Sequence, residues 1–251
     1  MKFLTWNILG GADYEREIEY IQKIDPDVFC LQEVQVNYPG HYEGRDIDVL
    51  AAFRNAFLGH RGVFAPINYM IDNGLERAFG NAIFSRFPIV AEKPVYFRKQ
   101  ADWTPHDHQN QSRNLVVTRL GIDGALLTVA TCHLTYEPYF KDTPQQEEEA
   151  ERILIALQSE PAVILAGDFN SLPGSKVVRK ILDTFVSVPG QEFLTFARIP
   201  WGYNDFHVNS LQYKLDYILH SRSLVSSNLA LPDTDLSDHL PLAAIINFRG
   251  Q

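Results

Sequence analysis

The segment 163-VILAGDFNSLPGS-175 leads from a strand-like apolar stretch directly into polar and turn-forming residues. Gly, Asp, Asn, Ser and Pro are common in turns, so a turn accounts for the segment taken alone. Residues two apart on an extended chain point to the same side, so Asp168 and Asn170 would also share one face. An acid beside an amide is typical of sites that hold a metal ion and a phosphate. The rest of the chain has to decide between these two interpretations.

Seven other apolar runs have strand length, β-branched and aromatic residues, and turn signals at their ends. They are 2-KFLTW-6, 27-DVFCL-31, 81-NAIFS-85, 114-NLVVTRL-120, 125-ALLTVATCHL-134, 214-KLDYILH-220 and 241-PLAAIINF-248. Apolar residues at helical spacing predict four helices between them, at 14–24, 45–58, 143–159 and 175–185. Strands mixed with helices predict a layered α/β sandwich. No Gly-, Ser- or Pro-rich linker divides the chain, so we expect one domain over residues 1–251.

The predicted helices carry recognisable start signals. Asp13 is expected to cap the first helix. Thr143 can cap the third helix, Pro144 suits its first position, and Gln146 would complete a capping box. The acidic run 147-EEEAE-151 in the same helix is expected to form a solvated face.

The composition is that of a globular protein, with 45% hydrophobic and 21% charged residues in 251. The formal net charge of −9 argues against tight, sequence-independent binding to long nucleic acid, which depends on Lys and Arg. No apolar run is long enough for a membrane helix and the first residues lack a signal-peptide cleavage site, so we expect no stable membrane insertion. Cys30 and Cys132 lie in apolar runs, which favours core thiols in a reducing, cytoplasmic compartment.

Six of the strand-like runs carry Asn, Asp, Glu or His at or near one end. These residues are Asn7, Glu33, His133, Asp168 with Asn170, Asp216, and Asp238 with His239. The repetition of these few residue types predicts that several strand ends converge on one pocket.

The acids and amides of this set suit a metal ion and a phosphate. Glu33, Asp168 and Asp238 offer the hard oxygen ligands that Mg²⁺ or Mn²⁺ prefers. Asn7 and Asn170 can orient a phosphate or a water without adding charge.

The remaining members suit proton transfer. His133 and His239 can move protons near neutral pH. Asp216 can hold a histidine in one tautomer, as the buried acid of a hydrolase triad does. Asp238 and His239 are adjacent, so in an extended segment one would face the metal and the other the substrate.

Taken together, the chain resembles the endonuclease/exonuclease/phosphatase superfamily of metal-dependent phosphoesterases, to which the DNase I-like nucleases belong. The matching stretches occur in the order that the family has, and they are TWNI (5–8), DVFCLQEV (27–34), GNAIFSRFPI (80–89), TCHL (131–134), GDFN (167–170), KLDYI (214–218) and SDHLPL (237–242). The resemblance implies a four-layer sandwich, in which two mixed β-sheets pack face to face with helices on the outside.

The resemblance also implies a role for each matching residue. Glu33 is expected to be the main metal carboxylate, with Asn7 beside it and Asp238 as a second acid near the metal. His133 is expected to contact the scissile phosphate or to assist the leaving group.

The other matching residues are expected to activate water. Asp168 and Asn170 would orient the attacking water and the phosphate, and Asp216 would pair with the catalytic His239. Members of the family differ over whether the histidine or the acid of GDFN takes the proton of the water, so both assignments stay open.

Two further positions are substrate-binding candidates. Arg113 matches a position where many members direct an arginine towards phosphate, although the family often has two arginines there and this chain has Ser112 and Arg113. Asn81 either contacts the substrate or supports the sheet. Arg98 and Lys99 are further candidates for phosphate contact.

Two other clusters have simpler interpretations. His106, Asp107 and His108 resemble a metal site but lie in a polar stretch without helix or strand period, which favours a solvated loop. Trp201, Tyr203 and Phe206 lie in a segment that borders the substrate groove in the family. They are expected either to contact a base or lipid or to serve ordinary packing.

The sequence therefore predicts a phosphodiesterase that depends on Mg²⁺ or Mn²⁺ and uses in-line attack of an activated water. The expected substrate is a nucleic-acid end or a small phosphodiester such as a nucleotide conjugate. Two alternatives remain: a phospholipid or inositol-phosphate hydrolase on the same fold, and a non-catalytic binding relative. The sequence indicates no oligomeric state.

Overall fold

The computed structural model describes residues 1–39, 46–98 and 112–250. The helices of these residues are α1 Tyr14–Ile24, α2 Val49–Ala56, α3 Pro144–Leu157 and α4 Lys176–Leu182, with short 3₁₀ turns at Leu9–Gly11 and Pro138–Phe140. The strands are β1 Lys2–Asn7, β2 Val28–Val36, β3 Tyr38–Pro39, β4 Asp46–Ile47, β5 Arg61–Asp72, β6 Leu75–Ser85, β7 Ile89–Tyr96, β8 Asn114–Ile122, β9 Ala125–His133, β10 Val163–Asp168, β11 Val186–Ser187, β12 Trp201–Tyr203, β13 Phe206–Val208, β14 Asp216–His220, β15 Leu224–Asn228 and β16 Leu242–Phe248.

Two six-stranded sheets form the body of the molecule. Sheet 1 has the order β15-β16-β1-β2-β6-β5, and sheet 2 has the order β11-β14-β10-β9-β8-β7. Both sheets are mixed, because β1 pairs with β2 in parallel and β9 pairs with β10 in parallel while their other neighbours are antiparallel. β16 inserts between β15 and β1, so strands from both ends of the chain complete sheet 1.

Three apolar layers separate four structural layers. The central layer lies between the sheets and includes Val28 of sheet 1 and Ile164 of sheet 2. One outer layer packs α1 and α2 on sheet 1, as the contact of Phe53 in α2 with Phe84 in β6 illustrates. The other packs α3 and α4 on sheet 2. This arrangement confirms the predicted four-layer sandwich.

Strand β10 shows why its sequence is apolar on both faces. Ile164 and Ala166 point into the central layer, whereas Val163 and Leu165 point towards the helices. Alternation along a strand that is covered on both sides produces a continuous apolar run. The run ends at Asp168, where the strand reaches the edge of the core.

The predicted helices are present, but the structure corrects three expectations about their side chains. Asp13 occupies the N-cap position of α1, but its carboxylate accepts a hydrogen bond from Arg16 and caps no backbone amide. Thr143 caps α3 through the amide of Gln146, but the Gln146 side chain donates to two distant carbonyl groups and does not complete the capping box. Glu149 is 2% exposed, so the acidic run is not solvated throughout.

Neither cysteine forms a disulfide, since Cys30 and Cys132 are both free and buried, as expected for core thiols. Among the helices that the structure describes, none combines the length and apolar character needed to cross a membrane.

Candidate active site

Strand register brings most of the predicted site residues together. In sheet 2, Asp168 lies between His133 of β9 and Asp216 of β14, because it is the register partner of both. Asn7, at the end of β1 in sheet 1, donates from Nδ2 to Asp168 Oδ2 over 3.1 Å. The ends of both sheets therefore meet around the Asp168 carboxylate.

Two residues of the GDFN segment have positive φ angles, which suit glycine and asparagine. Gly167 has φ 138°, and a Cβ there would lie 2.0 Å from the carbonyl oxygen of Cys132. Asn170 has φ 46°, a left-handed conformation that Asn tolerates better than most residues. Its backbone amide donates to Asp168 Oδ1 over 2.8 Å. The segment thus forms a turn, and the turn itself directs an acid and an amide into the site.

Asn170 also fixes the orientation of His133. Its Nδ2 donates to the carbonyl oxygen of Leu134 over 3.0 Å and lies 2.9 Å from His133 Nε2. An amide nitrogen can only donate, so His133 Nε2 accepts and the ring proton lies on Nδ1. That nitrogen faces Glu33 Oε1 at 3.8 Å, while Nε2 lies 3.4 Å from Asp168 Oδ2.

Glu33 is not at the end of its strand, contrary to the sequence prediction. β2 continues to Val36, and its pairing with β6 shifts register between Leu31 and Val34. Glu33 lies in this bulge with φ 63°. A bulge re-aims a side chain within a strand, and here it lets Glu33 Oε1 accept from Asn7 Nδ2 over 3.2 Å.

The loop before β16 contributes His239, which forms a buried pair with Asp216 of β14. His239 Nδ1 donates to Asp216 Oδ2 over 2.8 Å, and its Nε2 lies 3.5 Å from Asp168 Oδ2. Trp6 donates from Nε1 to the backbone carbonyl of His239 over 2.8 Å. The Phe196 ring packs on the imidazole with centroids 4.8 Å apart. The histidine is therefore held in one tautomer and one orientation.

Asp238 lies beside this pair and is also buried. Ser237 donates from Oγ to the backbone oxygen of Asn7 over 2.7 Å and lies 3.2 Å from Asp238 Oδ1. Asp238 and His239 are both 4% exposed, so these neighbours contribute to one buried site from adjacent positions.

Burial and mutual repulsion perturb the acids and the histidine. Burial raises the pKa of Asp168 to about 7, although the nearby His239 acts in the opposite direction. Burial likewise raises the pKa of Asp238 to about 6. For His239, burial lowers the pKa, but the carboxylates of Asp216 and Asp168 outweigh it and raise the pKa well above its usual value. Burial therefore disfavours the charged forms of both acids, whereas the surrounding carboxylates favour the charged form of His239.

This donor set fits a divalent cation. Asp168 and Asp238 have carboxylates with raised pKa values, which a nearby cation would stabilise in their charged form. Glu33 adds a further carboxylate oxygen to the site, and 19% of its side chain is exposed. Asp168, Asp216 and His239 also offer ligand atoms that all lie within 4.8 Å of one another. The hydrogen bond between Asp216 and His239 occupies part of that second set. Glu33 and Asp238 add two further carboxylates to the site.

The sequence profile described as the Endonuclease/Exonuclease/phosphatase family matches residues 4–239. The chain belongs to this family. Its members cleave phosphoester bonds, and both the fold and the residues gathered around Asp168 agree with a phosphoesterase.

Solved structures of other family proteins share the fold. A mannosyl-6-phosphatase from Bacteroides thetaiotaomicron is 17% identical with a TM-score of 0.73, covering 99% of this chain and 100% of the other. A humanized TDP2 from D. rerio is 16% identical with a TM-score of 0.68 and 98% coverage of both chains. The human Nocturnin catalytic domain, with bound sulfate, is 22% identical with a TM-score of 0.64, covering 99% of this chain and 93% of the other. None of the curated protein sequences compared with the chain matches it.

The two substrate-binding candidates differ in their surroundings. Asn81 donates to Asn114 Oδ1 over 3.0 Å and so joins the two sheets, a contact that supports the sheet-supporting alternative. Arg113 is 2% exposed, and its Nε and Nη1 have no hydrogen-bond partner among the described residues. Burial lowers the pKa of Arg113, against the attraction of Glu149, Glu33 and Asp168. This guanidinium is close to the site and has donors to spare for a phosphate.

Behind His133, a polar group in α3 supports the site in a way that sequence analysis missed. Glu149 accepts from the amide and the hydroxyl of Thr135, over 3.0 and 2.6 Å. Gln146 donates from Nε2 to the carbonyl oxygens of Thr135 and Asn170, over 2.8 and 3.3 Å. Arg98 donates to Thr135 Oγ1 over 3.0 Å, so it contacts this group as well. Three-to-four-residue spacing places Gln146 and Glu149 on one helix face, and this was the available signal.

The aromatic segment packs next to the site. Trp201 lies 5.5 Å from Phe196, centroid to centroid, and Phe206 is buried in the same cluster. Packing is therefore established for this segment, and contact with a substrate stays a prediction. Lys99 and the group His106, Asp107 and His108 lie outside the described residues.

Proposed function

We propose that this chain is a divalent-metal-dependent phosphodiesterase that acts by in-line attack of an activated water. The observation that carries the proposal is the position of Asp168. Its Oδ2 lies within 3.5 Å of Asn7 Nδ2, His133 Nε2 and His239 Nε2, which come from three different parts of the chain. A packed core gains nothing from a buried carboxylate surrounded in this way, so a reaction is the better explanation.

Asp168 and His239 are the groups that would activate the water. The raised pKa of His239 favours an imidazolium near neutral pH, and the pKa of Asp168 lies at about 7. Asp168 is therefore our choice for the base that takes a proton from the attacking water. The water oxygen bonds to phosphorus as Asp168 takes one of its protons, the ester bond to the leaving oxygen breaks, and the departing oxygen takes a proton from a solvent water. Asp216 keeps His239 oriented throughout.

Other side chains would stabilise the charge that develops on the phosphate. His133 would contact the scissile phosphate or assist the leaving oxygen. The Nδ2 groups of Asn7 and Asn170 already donate within the protein, so these two side chains would hold Asp168 and His133 in position. Arg113 adds a buried positive charge whose unpaired donors suit phosphate oxygens.

A divalent cation, which we propose to be Mg²⁺ or Mn²⁺, would polarise a phosphate oxygen and stabilise the leaving oxygen. Asn7, Glu33 and Asp238 are the residues that we propose to hold it, because Glu33 is the partly exposed carboxylate of the site and the other two lie beside it. Buried acids with raised pKa values support a missing positive charge here.

The substrate that we propose is a nucleic-acid end or a small phosphodiester such as a nucleotide conjugate. The net charge of −9 and the single buried arginine at the site support a locally recognised phosphoester over tight binding of long duplex. Proteins of this fold include a mannosyl-6-phosphatase as well as TDP2 and Nocturnin, so a phosphomonoester must be tested beside diesters.

A substrate panel with and without metal tests the proposal. The panel contains bis-(p-nitrophenyl) phosphate, short DNA and RNA ends, a dinucleoside phosphate, sphingomyelin, an inositol phosphate and mannose 6-phosphate. We expect a diester to be turned over only with Mg²⁺ or Mn²⁺ and not in excess EDTA. Turnover of a lipid or inositol phosphate instead would favour the alternative hydrolase, and turnover of no substrate would favour a binding protein.

Glu33→Gln and Glu148→Gln form a matched pair of variants for this assay. Glu33→Gln should raise the metal concentration required for half-maximal activity and leave the melting temperature nearly unchanged. Glu148, whose side chain is 69% exposed on α3, should tolerate the same substitution without effect. Full activity of both variants in EDTA would contradict the metal role.

A further inference from the structure

A cavity lies next to α4 and β14, and neither Asp168 nor any other proposed site residue lines it. It has a volume of about 230 Å³ and lies between α4, β14, the turn at residues 173–174 and the segment 187–192. Val178, Leu182, Val188 and Ile218 supply apolar walls. Ligand pockets for drug-sized molecules begin at about 300 Å³. The cavity is therefore too small for a nucleotide and suits a compact molecule with an apolar body.

One polar atom of the wall lacks a partner. Gln191 is 4% exposed, and its Nε2 donates to Asn228 Oδ1 and to the carbonyl oxygen of Ala243. Those two oxygens can only accept, so the amide orientation is fixed and Oε1 is the atom left over. Gln191 Oε1 has no hydrogen-bond partner among the described residues. A buried acceptor of this kind calls for a donor from a ligand or a water.

Two charges of opposite sign line the same cavity. Lys214 donates from Nζ to the carbonyl oxygen of Asp216 over 3.0 Å, and its ammonium lies 4.8 Å from the Tyr217 ring centroid. An ammonium carries three donors, so Lys214 has further donors for an anion. Glu192 lines the cavity as well, in an exposed position.

We infer that this cavity binds a small zwitterion with an apolar side chain, the chemistry of a free apolar amino acid. The ligand carboxylate pairs with Lys214, and the ligand ammonium donates to Gln191 Oε1 and faces Glu192. The side chain packs against Val178, Leu182, Val188 and Ile218. The inference goes beyond phosphoester hydrolysis and concerns a separate site.

The cavity wall touches the segments that carry catalytic residues. Tyr217 donates from Oη to the carbonyl oxygen of Ser171 over 2.8 Å, and its ring lies 4.9 Å from that of Phe169. Lys214 holds the backbone oxygen of Asp216. Two residues of the cavity wall therefore contact the segment 169–171 and the backbone of Asp216.

Calorimetric titration of the whole protein with L-leucine and L-phenylalanine tests the inference. We expect saturable binding of at least one of them. N-acetyl-L-leucine lacks the ammonium, L-leucinamide lacks the carboxylate and glycine lacks the apolar body, so each should bind about tenfold or more weakly. No binding of leucine or phenylalanine would overturn the inference, as would equal binding of the three analogues.

Three variants locate the binding. Lys214→Met should weaken binding about tenfold or more, and Ser187→Trp, at the exposed mouth, should block it. Lys180→Met removes an exposed lysine of α4 that does not line the cavity, and it should bind as the unchanged protein does. Binding that survives both Lys214→Met and Ser187→Trp would place the ligand elsewhere. The titration needs no phosphoester hydrolysis, so its failure is distinct from failure of the proposed function.

Discussion

At the scale of single residues, the hydrogen bond between Asp216 and His239 makes the two side chains one functional unit. Asp216→Asn leaves His239 without its carboxylate partner, and His239→Ala removes the group that the carboxylate orients. We expect each change to lower kcat about 10²-fold or more, and the double variant to lose little beyond the worse single variant. Steady-state kinetics of the two single variants and the double variant measure this coupling.

The non-additive result separates a coupled pair from two independent contributions. If the losses of the single variants multiply in the double variant, the pairing seen at 2.8 Å is not used in the reaction. His133→Ala acts by another route, so its loss should multiply with that of His239→Ala and serves as the control.

Gly167 is a residue-scale test of the backbone that presents Asp168. Gly167→Ala places a Cβ 2.0 Å from the Cys132 carbonyl oxygen, so we expect a loss of about 3 kcal/mol or more in the free energy of unfolding. Gly174 also has a positive φ, of 83°, but has open space around its Cβ position. Gly174→Ala should therefore cost only about 1–2 kcal/mol, the price of the left-handed backbone alone. Equal losses of unfolding free energy for the two variants in urea denaturation would contradict this expectation. They would show that the backbone shifts to relieve the contact between the new Cβ and the Cys132 carbonyl oxygen.

Features of the site could be predicted from the sequence where few residue types can carry out the expected chemistry. The sequence predicts the histidine–acid pair of His239 and Asp216, and the structure has it. It does not predict the left-handed conformation of Glu33, because nothing in the local pattern 27-DVFCLQEV-34 marks a bulge. The metal and catalytic roles of these residues remain predictions.

At the scale of elements, α3 holds the site from behind through Gln146. Gln146→Met keeps the side-chain volume and removes both donated hydrogen bonds, so Thr135 and Asn170 lose a partner for their carbonyl oxygens. We expect kcat to fall while KM changes little, with a cost of about 1–2 kcal/mol in the free energy of unfolding. Kinetics and thermal unfolding of the same preparation check both effects.

Glu148→Gln, on the exposed face of the same helix, controls for changes in helix propensity. It should leave kcat and the melting temperature unchanged. A Gln146→Met variant that loses stability but keeps kcat would assign Gln146 a purely structural role.

The elements themselves were predictable because their faces are. Period-two and helical spacing locate the eight predicted strands and the four helices. They do not predict four further strands of the two sheets, which are β5, β7, β11 and β15. The inner face of α3 was harder to predict, because Gln146 and Glu149 are polar residues that are buried against the segment after β9. The acidic run at residues 147–151 suggested a solvated surface. Only the contacts with Thr135, which follows β9, show that Glu149 points inward.

At the scale of the whole molecule, the buried acids of the site make the free energy of unfolding depend on pH. The folded pKa values of Asp168, about 7, and Asp238, about 6, exceed the ordinary value of 3.8 that the unfolded chain approaches. Between about pH 4 and pH 7 the folded state binds more protons than the unfolded state, so these groups lower the free energy of unfolding as pH rises. His239, whose pKa is also raised, acts in the same direction above its ordinary pKa.

A bound divalent cation should reverse this loss. We expect excess Mg²⁺ to raise the melting temperature more at pH 8 than at pH 5, because the acids must be ionised to bind it. Asp168→Asn should flatten the decline in stability measured in EDTA. Calorimetric melting at both pH values checks these effects, and an equal Mg²⁺ effect at pH 5 and pH 8 would argue against a cation at these acids.

The layered architecture could be predicted as a class, since strands alternating with helices admit few arrangements. The strand order could not be derived from periodicity, because pairing depends on contacts between distant segments. The single domain over residues 1–251 and the cytoplasmic compartment stay predictions.

The insertion of β16 between β15 and β1 has a consequence for synthesis on the ribosome. β1 is synthesised long before its neighbour β16, so the growing chain carries an incomplete sheet with an open edge until residues 242–248 emerge. His239 arrives only just before that strand. Nascent chains that still lack β16 are therefore prone to pair wrongly along β1, and a holding chaperone would have its greatest effect during this interval.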